Sequence, residues 1–175
     1  GEDVPVDARP LSFLPPDALD MDLSDPIQRD FGEYELLEKI GQGGMGVVYR
    51  AWQASIGRDV AVKVIRPRPG HDGASAKRFL REAKLASQLL QPSTVSVCDF
   101  GQTDDGTLYL VMELLDGHPL RDEIAPAPEL MDLARVQMVM DGALKGLAAA
   151  HKAGIVHRDL KPENIFLTKD EEGEL

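Results

Sequence analysis

The sequence predicts an α+β fold: a small β-rich lobe of five strands with one inserted helix, followed by the first part of a helical lobe. Three observations carry that expectation. Short runs rich in β-branched and aromatic residues crowd the stretch 34–114. One segment among them, 75–90, instead repeats Phe79, Ala83, Ala86 and Leu90 at helical spacing. Beyond it, 128–152 carries a long helical stripe of Leu130, Leu133, Val136, Met140, Leu144 and Leu147.

The elements run in order. Residues 34–40 read as a strand, the glycines of GQGG at 41–44 break it, and 47–52 form a second strand. Two short strands around a glycine-rich turn make a hairpin. DVAVKVI at 59–65 is a continuous run of strand formers and gives the third strand. After the inserted helix come strands at 95–100 and 107–114, joined by turn residues at 103–106. Gly154 is placed to stop the long helix. The apolar Ile165-Phe166-Leu167 reads as a further short strand.

Composition narrows the function classes. The chain has 175 residues, 43% of them hydrophobic, enough to bury a core. Its formal charge is −11, and no basic stripe is available to meet a phosphate backbone, which argues against a nucleic-acid partner. Single Cys98 excludes an internal disulfide and fits a reducing compartment, with Cys98 itself expected as a small core residue. No apolar run is long enough to cross a membrane, so the expected location is the cytoplasm. The acidity belongs to the ends. Residues 1–30 hold eight acids against two bases and five of the twelve prolines, and are expected to be a disordered acidic linker. Residues 168–175 add a net −3, and Asp170-Glu171-Glu172-Gly173 reads as a hairpin turn. The chain opens on Gly1 instead of Met, so an upstream segment is expected.

Three motifs carry chemistry. Gly41-Gln42-Gly43-Gly44-Met45-Gly46 fits G-x-G-x-x-G. An ordinary glycine turn would show the same letters, so the residues immediately after it decide. A dinucleotide-binding fold opens a helix at the third glycine. Here Val47-Val48-Tyr49 continues as a strand, and the Walker pattern is absent. A glycine hairpin can lie over a triphosphate because no Cβ atoms hold the backbone away. Lys63, inside VAVKVI, is an ammonium on a buried strand and is costly without a partner. Glu82, three residues after Phe79 and four before Ala86, is expected on the inward stripe of the inserted helix as that partner. Losing one member of such a buried pair costs ~3–5 kcal/mol.

His157-Arg158-Asp159-Leu160-Lys161-Pro162-Glu163-Asn164 is the strongest signal. It offers a carboxylate, an ammonium and a carboxamide within six residues. That set suits a base, a stabiliser of phosphate charge and a metal ligand.

GQGGMGVVY, VAVK, the glutamate of RFLREA, VMELLDG and HRDLKPEN together resemble a eukaryotic-like serine/threonine protein kinase domain, with the flavour of the bacterial receptor-type members. The resemblance spans about residues 31–167. It implies a kinase-like fold with an antiparallel sheet, an N-lobe over about 31–115 and a partial C-lobe over about 116–175, cut after the catalytic loop. It further implies ATP and Mg²⁺ as cofactors. Gly41, Gln42, Gly43, Gly44, Met45, Gly46, Val48 and Ala61 would cover the nucleotide. Lys63 would hold its phosphates and pair with Glu82. Met112 would be the gatekeeper, with Glu113, Leu114 and Leu115 offering hinge hydrogen bonds to adenine. Asp159 would orient the substrate hydroxyl, Lys161 steady the transferred phosphoryl group, and Asn164 bind Mg²⁺. Lys161 fits the serine/threonine type, so the implied partner is a protein with a Ser or Thr hydroxyl. Arg158 suggests control by activation-loop phosphorylation. The parent protein could form a dimer or carry a membrane anchor downstream.

Asp99-Phe100-Gly101 spells the family's metal-binding triplet but precedes the catalytic loop, so Asp99 is expected as a strand-end residue and not a Mg²⁺ ligand. The alternative reading is a pseudokinase or nucleotide-binding regulatory module. A dinucleotide oxidoreductase would require Gly46 to open a helix. His71, His118 and His151 show no metal-ligand spacing.

Overall fold

The structure, a computed structural model, describes residues 20–24, 30–43, 46–65, 72–124 and 131–169. Its main layer is one antiparallel sheet. The five expected strands form as β2 (Tyr34–Gly43), β3 (Gly46–Gln53), β4 (Arg58–Ile65), β5 (Val97–Gln102) and β6 (Leu108–Glu113). A two-residue strand, β1 (Asp30–Phe31), adds to the outer edge, giving the order β1-β2-β3-β4-β6-β5. Gly46 pairs with Gly43 and opens a strand, not a helix, which removes the oxidoreductase reading.

Register obeys the period of two. Val60, Val62 and Val64 face one side of the sheet and are buried with Tyr34, Leu36, Val47, Tyr49, Ala51 and Val111. Ala61, Lys63 and Ile65 face the other. Helix α1 (Asp72–Ala86) covers that second side at Ile65 and Leu108, through Ala76, Phe79 and Ala83. The helix stops four residues short of the expected 90, and Leu90 is 97% exposed.

Two expectations are corrected here. Glu82 lies on the exposed face of α1, not on its inward stripe. The helix is rolled so that Ala76, Phe79, Leu80 and Ala83 meet the sheet, because those side chains bury more apolar surface than a face containing Glu82 would. Cys98 is exposed, not a core residue, because β5 is the edge strand of the sheet.

Residues 20–24 fall in the expected linker, yet they pack on the sheet, with Met21 and Leu23 against the buried cluster around Tyr49. The remainder of that linker, 1–19 and 25–29, and the acidic turn at 170–173 lie outside the described residues.

Below the sheet, β7 (Gly117–Pro119) pairs with β8 (Phe166–Thr168), the strand expected from Ile165-Phe166-Leu167. A short helix, α2 (Leu120–Ile124), leads on. The long helix, α3, runs Leu133–Lys152. Its start is later than the expected 128: residues 131–132 are not helical, and Asp132 caps the first turn by accepting the Arg135 N–H at 2.9 Å. At the other end Gly154 adopts φ +77°, and the Ile155 N–H reaches back to the Ala150 carbonyl, the expected stop.

Helix α3 buries Val139, Gly146 and Ala150. A Cβ on Gly146 would lie 2.7 Å from the Ser93 carbonyl oxygen, so this side of the helix meets the polypeptide directly. The stripe read from the sequence lies to one side of that row and is largely exposed: Leu133 is 72% exposed, Leu144 57% and Met140 48%, while Leu147 is half-buried and Leu130 lies outside the described residues. Full burial of one such side chain is worth about 1.5–3 kcal/mol, so the chain should self-associate through this stripe. Met140→Lys with Leu144→Lys is expected to return it to monomer in sedimentation velocity with unchanged helix content. Unaltered association would exclude the stripe as the contact.

Candidate active site

The upper half of the site lies on the helix-facing side of the sheet. Val48 on β3 is directly across from Lys63 on β4, and Ala61 is directly across from Met112 on β6. Cross-strand partners share a face, so Val48, Ala61, Lys63 and Met112 form one surface. Glu113 closes β6, and Leu114 and Leu115 continue the chain outside any strand or helix. Glu113 is fastened twice to Ser96: its N–H donates to the Ser96 carbonyl at 3.1 Å, and its carboxylate accepts the Ser96 N–H at 2.6 Å. The backbone of the expected hinge is therefore held at one end.

The hairpin β2–β3 overhangs this surface. Gly41 pairs with Val48 and Gln42 with Val47. Gly44 and Met45, at its tip, lie outside the described residues. The glycines differ in what requires them. A Cβ on Gly43 would meet nothing within 4 Å, and one on Gly41 would make only ordinary contact with Val48. A Cβ on Gly46 would lie 2.3 Å from the Val64 carbonyl oxygen and 3.0 Å from Ile65 Cγ1.

The lower half is the loop after α3. Lys161 Nζ lies 2.9 Å from Asp159 Oδ2. Asn164 Nδ2 donates to the same oxygen at 3.0 Å and to the Asp159 carbonyl at 2.7 Å. The three side chains therefore converge, held by the 3₁₀ turn Pro162–Asn164. The Lys161 hydrogen bond and then the Asn164 hydrogen bond hold the Asp159 carboxyl below the usual aspartate range. Arg158 takes φ +61°, and the Asp159 N–H bonds the His157 carbonyl at 2.9 Å, closing a tight turn. A side chain held in that left-handed region costs on the order of 1–3 kcal/mol, strain that is typical of functional loops.

Burial pushes the Lys63 ammonium below the ordinary lysine range, and the Asp159 carboxylate opposes the shift. The expected partnership of Lys63 with Glu82 is corrected: no ion pair joins them among the described residues, and Glu82 is exposed.

Asp99 sits within β5, and alternation sends Phe100 under α1 while Asp99 accepts the Tyr34 hydroxyl at 3.0 Å. Burial, and then that hydrogen bond to Asp99, raise the Tyr34 hydroxyl above its usual range. Asp99 therefore ties β5 to β2. Among the described residues no group of three or more His, Cys, Asp or Glu is arranged to hold a metal. Asn164 donates through its nitrogen to Asp159, which leaves its Oδ1 as an acceptor. It fits as one oxygen ligand of a Mg²⁺ that takes its others from phosphates and water.

Sequence reasoning missed the docking of Asp20 and Met21, and the salt bridge of Arg135 to Glu123 at 3.0 Å that ties α3 to α2. For the first, the apolar Met21 and Leu23 at a spacing of two were the available signal.

Comparison with known proteins extends this picture. The protein kinase domain family model matches residues 34–175. The serine/threonine-protein kinase pkn2 of Myxococcus xanthus is 41% identical over 162 residues, which cover 93% of this chain and 18% of that protein. The serine/threonine-protein kinase PrkC of Bacillus subtilis is 39% identical over 140 residues, 80% of this chain and 21% of that protein. Among solved structures, the PknI kinase domain of Mycobacterium tuberculosis superposes with a TM-score of 0.70 at 30% identity, covering 79% of this chain and 57% of that one. The chain thus spans about a fifth of the length of these curated relatives and over half of the solved kinase domain.

Proposed function

Because the chain belongs to the protein kinase domain family, we propose that it is the nucleotide-binding lobe and catalytic loop of an enzyme that phosphorylates Ser or Thr hydroxyls of proteins with ATP. The observation that carries the reading is the convergence of Asp159, Lys161 and Asn164 in one loop. In this reading residues 31–115 form the N-lobe and 116–175 belong to the C-lobe. The hairpin Gly41–Val48 lies over the nucleotide, Val48 and Ala61 contact its base, and Met112 through Leu115 form the hinge.

Lys63 holds the phosphates. Asp159 accepts a hydrogen bond from the substrate hydroxyl and aims its oxygen at the γ-phosphorus. As the new P–O bond forms, the bond to the bridging oxygen of the nucleoside diphosphate breaks, and the hydroxyl proton passes to Asp159. Lys161, already beside Asp159, stands where charge grows on the transferred group. Asn164 would hold Mg²⁺, which when bound neutralises phosphate charge. Lys161 favours the serine/threonine class.

A second reading, a nucleotide-binding regulatory module, draws on one observation: Glu82 is exposed and forms no ion pair with Lys63 among the described residues. The two separate by assay. Full-length protein should transfer the γ-phosphate of radiolabelled ATP to protein Ser or Thr, and a module would bind ATP without transfer. In this chain, Lys63→Met should weaken Mg·ATP binding about tenfold to a hundredfold, since a charged hydrogen bond is worth about 1.5–3 kcal/mol. Equal affinity by calorimetry would remove Lys63 from the site.

A further inference from the structure

Residues 20–24 precede the matched kinase region, which begins at 34, yet they are fastened to the hairpin. The Asp20 carboxylate pairs with Lys39 Nζ at 2.5 Å. The Met21 N–H donates to the Tyr49 hydroxyl at 2.8 Å. Met21 and Leu23 pack on the cluster that contains Tyr34, Leu36 and Tyr49. Ser24 closes the segment, its N–H and hydroxyl both donating to Asp22 at 3.0 and 2.6 Å.

The anchor points are not scattered. Lys39 on β2 and Tyr49 on β3 are direct cross-strand partners. Between that pair and Gly43↔Gly46 run the glycine-bearing strand ends, Gly41↔Val48 and Gln42↔Val47. The β2–β3 ladder is irregular beside it, with a register shift between Lys39 and Gly41. A bulged ladder is locally weakened, and the segment ties both strands together at that place. Tyr49, 1% exposed, reaches through the sheet's outer cluster, on the face opposite Lys63, so the segment docks away from the nucleotide surface. Phe31, edge-to-face on Tyr109 with ring centres 5.4 Å apart, continues the cover.

We infer that Asp20–Leu23 is a positioning strap that clamps the base of the glycine hairpin from behind, so the sequence ahead of the matched domain sets how firmly the hairpin closes over phosphates. The inference rests on the kinase reading only for its effect on nucleotide. Its structural part stands alone. A tail that is pulled, bound or modified would then tune nucleotide affinity without entering the site.

The test uses the whole 175-residue chain and three variants: Asp20→Ala, Tyr49→Phe, and Met21→Asp with Leu23→Asp. Amide hydrogen exchange by mass spectrometry reads hairpin opening. Each variant should speed exchange over residues 39–49 about fivefold or more, the loss expected for one hydrogen bond or contact, while β4, β6 and α3 keep their wild-type rates. Swapping the charges, Asp20→Lys with Lys39→Asp, should restore slow exchange. Binding of a fluorescent ATP analogue with Mg²⁺ should weaken about threefold to tenfold in the same variants. Unchanged exchange at 39–49, or an equal rise across the entire sheet, overturns the strap. If the wild-type chain binds no nucleotide, the kinase reading fails while the exchange data still decide the strap.

Discussion

Asp159→Asn in the full-length protein is expected to lower the phosphoryl-transfer rate about 10²–10⁴-fold while Mg·ATP affinity and thermal midpoint hold. The substitution keeps shape and removes charge. Asp159 is exposed, so no buried packing is lost, and Asn164 still finds the residue 159 carbonyl. What disappears is the carboxylate proposed to take the substrate proton, together with its contact to Lys161. Because Lys161 and Asn164 hold its carboxyl below the usual aspartate range, Asp159 is a weak base, and most of its effect should come from orienting the hydroxyl. A depressed value keeps the group ionised as pH falls through the ordinary aspartate range, with ionisation lost only below it. The acid limb of the kcat–pH profile should therefore lie below that range in the wild type and vanish in the variant. Undiminished kcat against a protein substrate would remove Asp159 from its role.

Gly46→Ala should destabilise the chain by about 1–3 kcal/mol, and Gly43→Ala should not, although both glycines belong to one motif. The Gly46 Cβ would stand 2.3 Å from the Val64 carbonyl oxygen, a backbone atom of the adjacent strand that cannot swing aside. Relief requires β3 and β4 to part near Val47↔Val64, inside the buried cluster. The Gly43 Cβ would meet no atom within 4 Å. Its cost should fall on nucleotide binding, where a methyl group holds the backbone off the phosphates. Urea denaturation and ATP titration of the two variants separate the effects. Equal midpoints would show that the sheet accommodates the methyl group at residue 46.

The strands were legible because each is a short run bounded by glycine or turn residues. DVAVKVI became β4 almost to the residue, whereas the glycines expected to break the strand at 41–44 continue β2 through Gly43. The loop 157–164 was legible because its three chemical groups lie within six residues, close enough that a single turn brings them together. Helix faces were harder. A helical period says which residues share a face, and α1 offers two overlapping ones: Phe79 with Ala83, and Phe79 with Glu82. Only docking against Ile65 and Leu108 selects between them. The same holds for α3, where the broad stripe of large side chains is exposed and the narrow row of Val139, Gly146 and Ala150 makes the contact. Small residues allow close backbone approach, a geometric advantage that hydrophobicity does not register.

Strand and loop order, the family, and the residue type at each chemical position were all written in the chain itself. Those are local properties, set by neighbours a few residues away. Partnerships arose only on folding: Glu82 left exposed on α1, Asp99 bound to Tyr34, and Asp20 and Met21 strapped to the hairpin. The bonded pairs join residues from 19 to 65 positions apart. Such pairings depend on how rigid elements roll and stack to bury the most apolar surface, and no local period encodes that rotation.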